Sequence, residues 1–401
     1  MSFRDLGLHA AFADRCERLG YKEPTPIQKK AIPVVLQGGD VIGCAETGTG
    51  KTAAFLLPIL NREVHHQNKK GLRVLILSPT RELTTQIEAA CRAFLPKGLT
   101  CAAIIGGAGY AKQIKALKDG VNILICTPGR LIDFIDQGMV NFKGLNTLVL
   151  DEADRMLDMG FLPAIKRIVS SLPAKRQTLF FSATMAGEIE QVAMSIVKDP
   201  TWIEVSKRGT AAVTVDQKVY PVAHEHKLPL LLELLAKEDF ERVLVFTRTK
   251  RGADRIAHIL EKRDHKSNRI HGDRSQSQRE AALKGFKNGK TRVLVATDLA
   301  ARGIDVDSVS HVINYDVPVV PEDYVHRIGR TGRAGNTGRA ITLLTLAEEH
   351  SMRAIERLTG QQVERVLLPD FGGVQTASIG PAGNSRKPAR SFRSFGGRRR
   401  R

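Results

Sequence analysis

The chain has 401 residues, enough for two domains with filled cores. Its 42% apolar content is that of a globular protein, although aromatics make up only 5% and Trp202 is the single tryptophan. Lys and Arg outnumber Asp and Glu by 61 to 42, and the resulting +19 points either to a polyanionic partner such as nucleic acid or to a solubilising surface.

No apolar run approaches the roughly eighteen residues of a membrane span, and "MSFRDLGLHAAF" lacks a charged-then-apolar signal pattern. A cytoplasmic protein without a membrane partner is therefore expected. The five cysteines (Cys16, Cys44, Cys91, Cys101, Cys126) are odd in number, form no C-x-x-C pair and sit among apolar neighbours, as in "VIGCAE" and "NILICTP". They read as buried thiols rather than a disulfide framework or a zinc site.

In chain order, short runs rich in Val, Ile, Leu and Phe alternate with helical stretches: "DVIGCA" (40–45), "RVLILSP" (73–79), "NILICTP" (122–128), "TLVLDEAD" (147–154) and "QTLFFSAT" (177–184). Each ends in small or polar residues, as buried parallel strands do when their carboxyl ends carry functional loops. After "SKRGTAAVTV" (206–215), which reads as a connector, the rhythm resumes in "RVLVFTRT" (242–249), "RVLVATD" (292–298), "HVINYDVP" (311–318) and "RAITLLT" (339–345). Two α/β domains are predicted, at 1–207 and 214–364, joined by a linker at 208–213.

Residues 365–401 are expected to form a basic, disordered tail. No acid follows Asp370, and eight Lys/Arg lie between Arg386 and Arg401; subtracting them from +19 leaves +11 on the rest. The tail is either a solvated end or an electrostatic arm for RNA, with Phe392 and Phe395 available to stack on bases.

"AETGTGKT" (45–52) joins a strand-like run to a helix-like one, "KTAAFLLPIL". Glycines in such a loop aim backbone N–H groups and a helix N-terminus at an anion. Gly48 and Gly50 supply the backbone freedom, Lys51 reaches β/γ-phosphates, and the Thr52 hydroxyl ligates Mg²⁺. Ala45 stands where the strict P-loop pattern has its first glycine, and a ligand-free helix entry is the alternative. Asp151, at the end of "TLVL", is placed to hold Mg²⁺ through water, with Glu152 beside it as general base. Acids there also suit a helix N-terminus, and Asp154 either caps or serves the chemistry.

With these residues in view, Asp-Glu-Ala-Asp at 151–154 together with AETGTGKT resembles the DEAD-box ATP-dependent RNA helicases of superfamily 2, over about residues 3 to 345. The resemblance implies two tandem RecA-like parallel-sheet P-loop domains and ATP with Mg²⁺ as cofactors. "GYKEPTPIQ" (20–28) looks like the adenine-recognising Q motif, which implies that Gln28 pairs with the adenine edge, Tyr21 stacks on the ring and Phe3 is the upstream aromatic. Read alone, Gln28 is a surface residue after a Pro-bounded turn. Thr47, Gly48, Gly50, Lys51 and Thr52 then cradle the phosphates.

"PTREL" (79–83), Gly106–Gly107 and "TPGR" (127–130) resemble RNA-backbone motifs, implying RNA contacts from Arg81, Gly107, Thr127 and Arg130. "SAT" (182–184) resembles the coupling segment, with Ser182 and Thr184 bonding the acidic motif or the partner domain. In the second half, "VFTRTK" (245–250), "QSQR" (276–279) and "ATDLAARGID" (296–305) imply that Arg248, Gln276, Arg279, Thr297, Arg302 and Gly303 meet RNA and that Asp305 accepts from the ATP ribose. "HRIGRTGRAG" (326–335) supplies His326, beside Glu152 in handling water, and Arg330 and Arg333 as arginine fingers. Arg327 is an interdomain or an RNA contact.

One departure is "TTQ" after "PTREL", where a small apolar residue is expected. The compact core and "DRMLDMGF" resemble the bacterial RhlE-like group. The implied activity is RNA-dependent ATP hydrolysis with local unwinding of short duplexes or remodelling of RNA–protein complexes. The alternatives are an ATP-gated RNA clamp or scaffold, and a P-loop ATPase acting on DNA or protein.

Overall fold

The computed structural model describes residues 2–45, 48–66, 71–185, 187–205, 215–237, 240–301, 309–332 and 338–371. Expectations for Thr47, Arg302, Gly303, Asp305, Arg333 and the tail from 372 onward fall outside the described residues.

Alternation of buried side chains along each strand builds two parallel sheets with helices on both faces. The first contains β1 (Val41–Cys44), β2 (Val74–Leu77), β3 (Cys101–Ile104), β4 (Ile123–Cys126), β5 (Thr147–Leu150), β6 (Gln177–Ser182) and β7 (Thr201–Glu204), in the order β3-β4-β2-β5-β6-β1-β7. Val74 and Ile76 enter one core cluster while Leu75 and Leu77 enter the other, so a two-residue period feeds both faces. The second contains β8 (Val215–Pro221), β9 (Val243–Phe246), β10 (Ser267–Ile270), β11 (Val293–Ala296), β12 (His311–Asn314), β13 (Gly338–Leu344) and β14 (Glu364–Arg365), ordered β10-β11-β9-β12-β13-β8-β14. Val243 and Val245 face one side there, Leu244 and Phe246 the other.

The nine apolar runs form interior strands of these sheets. The strands the sequence did not reveal are the four edges (β3, β7, β10, β14) and β8, which lies next to an edge. An edge strand packs less completely, so β7 exposes Thr201, Trp202 and Glu204, and β8 alternates buried Val215 and Val219 with more exposed polar residues. Their sequences therefore carry less apolar signal.

The second domain continues past 364, where its end is expected. β14 pairs with β8, Leu368 and Phe371 pack against the adjoining core, and His226 Nδ1 lies 3.1 Å from the Phe371 carbonyl oxygen. That packing, rather than any local periodicity, keeps 365–371 on the domain.

The strand order sets up the site. β5, β6 and β1 are neighbours, with Leu150 beside Phe180 and Cys44 beside Ser182. The loops after these three strands, far apart in sequence, therefore emerge side by side at the carboxyl end of the sheet.

Candidate functional site at the domain interface

After β1 the chain turns through Gly48 (φ 88°) and Gly50 (φ 93°) into the helix Lys51–Glu63. Gly50 is required twice over: its φ disfavours other residues, and any Cβ there would collide with the Gln28 amide nitrogen. Lys51 is 5% exposed and its Nζ is buried without a hydrogen-bond partner. A buried ammonium in a loop of left-handed glycines at a helix N-terminus is a site built for an anion.

Gln28 is buried rather than at the surface. Its Oε1 accepts from Thr25 N at 2.9 Å, closing the start of helix Pro26–Leu36, and its Nε2 donates to Gly50 O at 3.1 Å. One N–H and one lone pair of the amide remain for a base. Tyr21 sits edge-on to both Phe3 and Phe94, with centroids 6.4 and 5.6 Å away. Phe3 is only 3% exposed and belongs to the core, so it stands behind Tyr21 rather than open to a ligand.

At the end of β5, Glu152 adopts the left-handed conformation (φ 52°, ψ 52°), a strain of about 1–3 kcal/mol for a side chain of its size. Its Oε2 accepts from Arg155 Nη1 at 2.8 Å, and both side chains are buried. Burial opposes charge on Glu152, but Arg155, Lys51 and Arg330 together outweigh it and hold the carboxyl below the ordinary carboxylate range. Asp151 is pushed the other way, to about 6, chiefly by burial and despite Lys51. Two adjacent carboxylates thus differ in proton affinity, one poised as an ionised base and the other suited to a cation.

Asp154, open in the sequence between cap and chemistry, makes the coupling contact that the resemblance implies between the acidic motif and the Ser182–Thr184 segment. One carboxylate oxygen accepts from Ala183 N at 3.0 Å and Thr184 N at 3.1 Å, with Thr184 Oγ1 at 3.4 Å. The acidic loop and the Ser182–Thr184 segment are therefore one hydrogen-bonded unit. Ser182 Oγ itself turns to the Thr184 carbonyl.

The second domain reaches this unit through the helix Pro321–Ile328 and the turn after it. Arg330 is 4% exposed, its Nε donates to His326 O at 3.2 Å, and its charge acts on Glu152 in the first domain. Half-buried His326 lies in the same turn. Arg327 is neither an interdomain nor an RNA contact. It is 2% exposed, donates to both oxygens of Asp298, to Asn314 Oδ1 and to Asp316 O, and lies over the Phe246 ring at 5.0 Å. All those partners belong to its own domain, where it braces the helix Pro321–Ile328.

The remaining candidates are spread over both domains. Arg81 begins the helix Arg81–Phe94 and lies against Gly106 and Gly107; a Cβ on Gly107 (φ 72°) would strike its guanidinium. Arg130 stacks on Tyr110 at 4.9 Å and near Phe134 at 5.9 Å, leaving Nη1 buried without a partner. Thr127 precedes the helix Pro128–Asp136, its side chain making no cap bond. Burial, then the charge of Arg279 across the interface, then Arg130 after Glu82's opposing pull, shape Arg81, whose pKa falls. Three cations converging from two domains make a phosphate-seeking surface.

Gln276 and Arg279, expected on RNA, bond instead to a residue the sequence reading passed over: Glu82 Oε2 accepts from Arg279 Nη2 at 2.8 Å and Oε1 from Gln276 Nε2 at 3.4 Å. Arg279 Nε remains unpartnered. Arg248 is half-exposed and tethered by Nη2 to Glu348 Oε1 at 2.9 Å, and Thr297 is buried at the end of β11. Arg155 and Tyr110 were likewise overlooked. Arg155 had a signal, its three-residue helical spacing from Glu152; Glu82 and Tyr110 are identified only by what folds against them.

Residues 25–192 match the DEAD/DEAH box helicase family and residues 226–335 the helicase conserved C-terminal domain. The DEAD-box ATP-dependent RNA helicase CshA of Geobacillus kaustophilus is 44% identical over 92% of this chain and 79% of its own length. Among solved structures, S. cerevisiae Dbp5 bound to RNA and ADP BeF3 superposes with a TM-score of 0.82 at 30% identity, covering 92% of this chain and 96% of that one. A Dbp5 variant bound to Nup159, Gle1, IP6 and ADP gives 0.62 at 28% identity, over 91% and 96%. The domain arrangement here is thus closer to the form of that protein that holds RNA and a nucleotide analogue.

Proposed function

Because this chain belongs to the DEAD-box ATP-dependent RNA helicase family, we propose that it hydrolyses ATP when RNA draws its two RecA-like domains together, and that closure locally opens short RNA duplexes or remodels RNA–protein complexes. The observation that carries the reading is that the charge of buried Arg330, in the second domain, acts on Glu152 in the first. Neither domain holds a finished site: the first has the anion loop and the base, the second the cation.

Lys51 and the N–H groups around Gly48 and Gly50 hold the phosphates, and the free half of the Gln28 amide reads adenine beside Tyr21. Thr52 and Asp151 fit Mg²⁺, since a hydroxyl and a buried carboxylate are hard oxygen donors and, among the described residues, no cluster of three or more His, Cys, Asp or Glu forms a closed metal cage. Bound with phosphate and water, Mg²⁺ would neutralise charge on the transferring phosphate. Glu152, kept ionised by three cations and aimed by Arg155, takes the proton of the attacking water. Arg330 faces the charge that develops, a role worth roughly 10³–10⁵ in rate in related phosphoryl transfer. Asp154 carries the change at the acidic loop to Ser182 and Thr184.

Arg81, Gly107, Thr127 and Arg130 meet the RNA backbone from the first domain, with Arg248 and Thr297 opposite. Backbone-directed contacts imply little sequence preference. The five free thiols suit a reducing cytoplasm, and no described helix is long and apolar enough to cross a membrane.

ATP turnover measured with a panel of RNA and DNA polynucleotides tests the reading. Stimulation by RNA across unrelated sequences is expected; equal turnover with and without RNA would refute it. Unwinding of a short duplex with ATP, set against a nonhydrolysable analogue, separates a helicase from a clamp.

A further inference from the structure

The contact of Arg81 with Gly106 and Gly107 is braced from both sides by buried polar groups that have no part in the ATP chemistry. On the glycine side, the helix Tyr110–Asp119 has one fully buried residue, and it is a glutamine, Gln113. Its Oε1 accepts from Ile105 N at 3.0 Å, while its Nε2 donates to Ile105 O at 3.1 Å and to Ala108 O at 3.4 Å. The amide is thus spent on the backbone on either side of Gly106 and Gly107. β3, which ends at Ile104, is an edge strand, so no further strand can pair the Ile105 backbone; the Gln113 amide takes that place.

On the arginine side stands Thr84, the residue at which "PTREL" is expected to continue with a small apolar side chain. Thr84 and Ser78 are both fully buried. Thr84 Oγ1 donates to Thr80 O at 2.8 Å, and with its proton so engaged it accepts from Ser78 Oγ at 2.6 Å. Ser78 is fixed in turn by its N–H, which donates to Cys126 O at 3.0 Å. The hydroxyl pair closes the chain over Pro79–Leu83, the segment that carries Arg81.

We propose that Gln113 and the Ser78–Thr84 pair are positioning groups that hold Gly107 and Arg81 in the arrangement that receives an RNA phosphate. Two adjacent glycines, one of them at φ 72°, leave the loop free to move unless its flanks are tied, and Gln113 ties both. A guanidinium that is already placed loses less freedom when it binds phosphate. Both devices are neutral and bond to backbone or to each other, so they fix the cation without pairing its charge.

The proposal rests on Arg81 and Gly107 meeting RNA, and Arg81→Ala checks that separately: unchanged RNA affinity in this variant would refute the RNA assignment and the proposal with it. The test compares Gln113→Met, which keeps the side chain's bulk without its bonds, with Thr84→Val and Thr84→Ser in the full-length chain. RNA anisotropy, RNA-stimulated turnover, binding of a fluorescent ATP analogue and melting curves are measured on each. Gln113→Met and Thr84→Val should each raise the RNA Kd and the half-saturating RNA concentration about two- to ten-fold. Turnover at saturating RNA and nucleotide affinity should hold, and Thr84→Ser, which keeps the hydroxyl, should bind RNA as the unaltered protein does. Added to Arg81→Ala, Gln113→Met should weaken RNA binding no further, since the group it positions is gone. If Gln113→Met fails to fold, the two Thr84 variants decide. The proposal alone is overturned if Arg81→Ala weakens RNA binding while a folded Gln113→Met or Thr84→Val does not. It is also overturned if Thr84→Ser loses as much affinity as Thr84→Val, or if Gln113→Met adds in full to Arg81→Ala.

Discussion

Glu82 of the first domain and Arg279 of the second form a buried ion pair, Oε2 to Nη2 at 2.8 Å, with Gln276 on the other carboxylate oxygen. It is a joint that exists only while the domains are together. In the separated state both charges return to water, so breaking the pair weakens closure rather than the folding of either domain. Glu82→Gln should raise the RNA concentration for half-maximal ATP turnover by about ten-fold, with nucleotide affinity in the absence of RNA unaltered. The double substitution Glu82→Arg with Arg279→Glu should recover part of the loss. An additive double mutant would show that the two side chains are not coupled.

Glu152→Gln keeps the shape of the base and the Arg155 contact but cannot accept a proton. RNA-stimulated hydrolysis should fall by about 10²–10⁴, while ATP and RNA still bind together. Arg330→Ala should cause a comparable or larger fall with RNA affinity held. Single-turnover hydrolysis and RNA anisotropy on the same preparations measure both. Near-normal chemistry in either variant removes that residue from the reaction.

Tyr110 supports Arg130 by stacking under its guanidinium and is itself 37% exposed. Replacing the ring by leucine removes about 0.5–1 kcal/mol of cation–π attraction, so Tyr110→Leu should weaken RNA binding about two- to five-fold. Turnover at saturating RNA should be unchanged. Tyr110→Phe should behave as the unaltered protein, which separates stacking from the phenol hydroxyl.

Lys227 is fully buried and its Nζ donates to Glu348 Oε2 at 2.8 Å and to Tyr315 O at 2.7 Å. Burial opposes charge on Glu348, but Lys227 and then Thr345 hold its carboxyl below the ordinary value. A depressed carboxylate stabilises the fold above its unfolded pKa of about 4.3, and that contribution disappears as pH falls through the lower folded value. Urea melts between about pH 3 and 6 should therefore show the unaltered protein losing stability towards acid more steeply than Glu348→Gln. Parallel curves would mean the pair carries no pH dependence.

Deleting residues 372–401 removes eight basic side chains and no acid. If they hold RNA phosphates, the slope of log affinity against log salt should flatten while nucleotide binding is unchanged. An unchanged slope makes the tail a bystander.

The sequence by itself determined the interior of this protein and the chemistry of its strand ends. Runs such as "RVLILSP" and "RVLVFTRT" could only be buried strands, because both faces of an inner parallel strand must be apolar. "AETGTGKT", Asp151 and Glu152 followed from needs that are local: glycines for positive φ, a lysine for phosphate, carboxylates at a strand end. Tertiary structure decided whatever depends on adjacency. Strand order alone puts β1, β5 and β6 together, so Asp154 serves Ala183 and Thr184 instead of capping a helix. Arg327 and Arg330 are three residues apart in one basic string, yet one is spent inside its own domain and the charge of the other acts on Glu152, because the helix ends at Ile328 and Arg330 lies in the turn beyond it. Gln276 and Arg279 find Glu82, nearly two hundred residues away, and no local pattern records a partner at that distance.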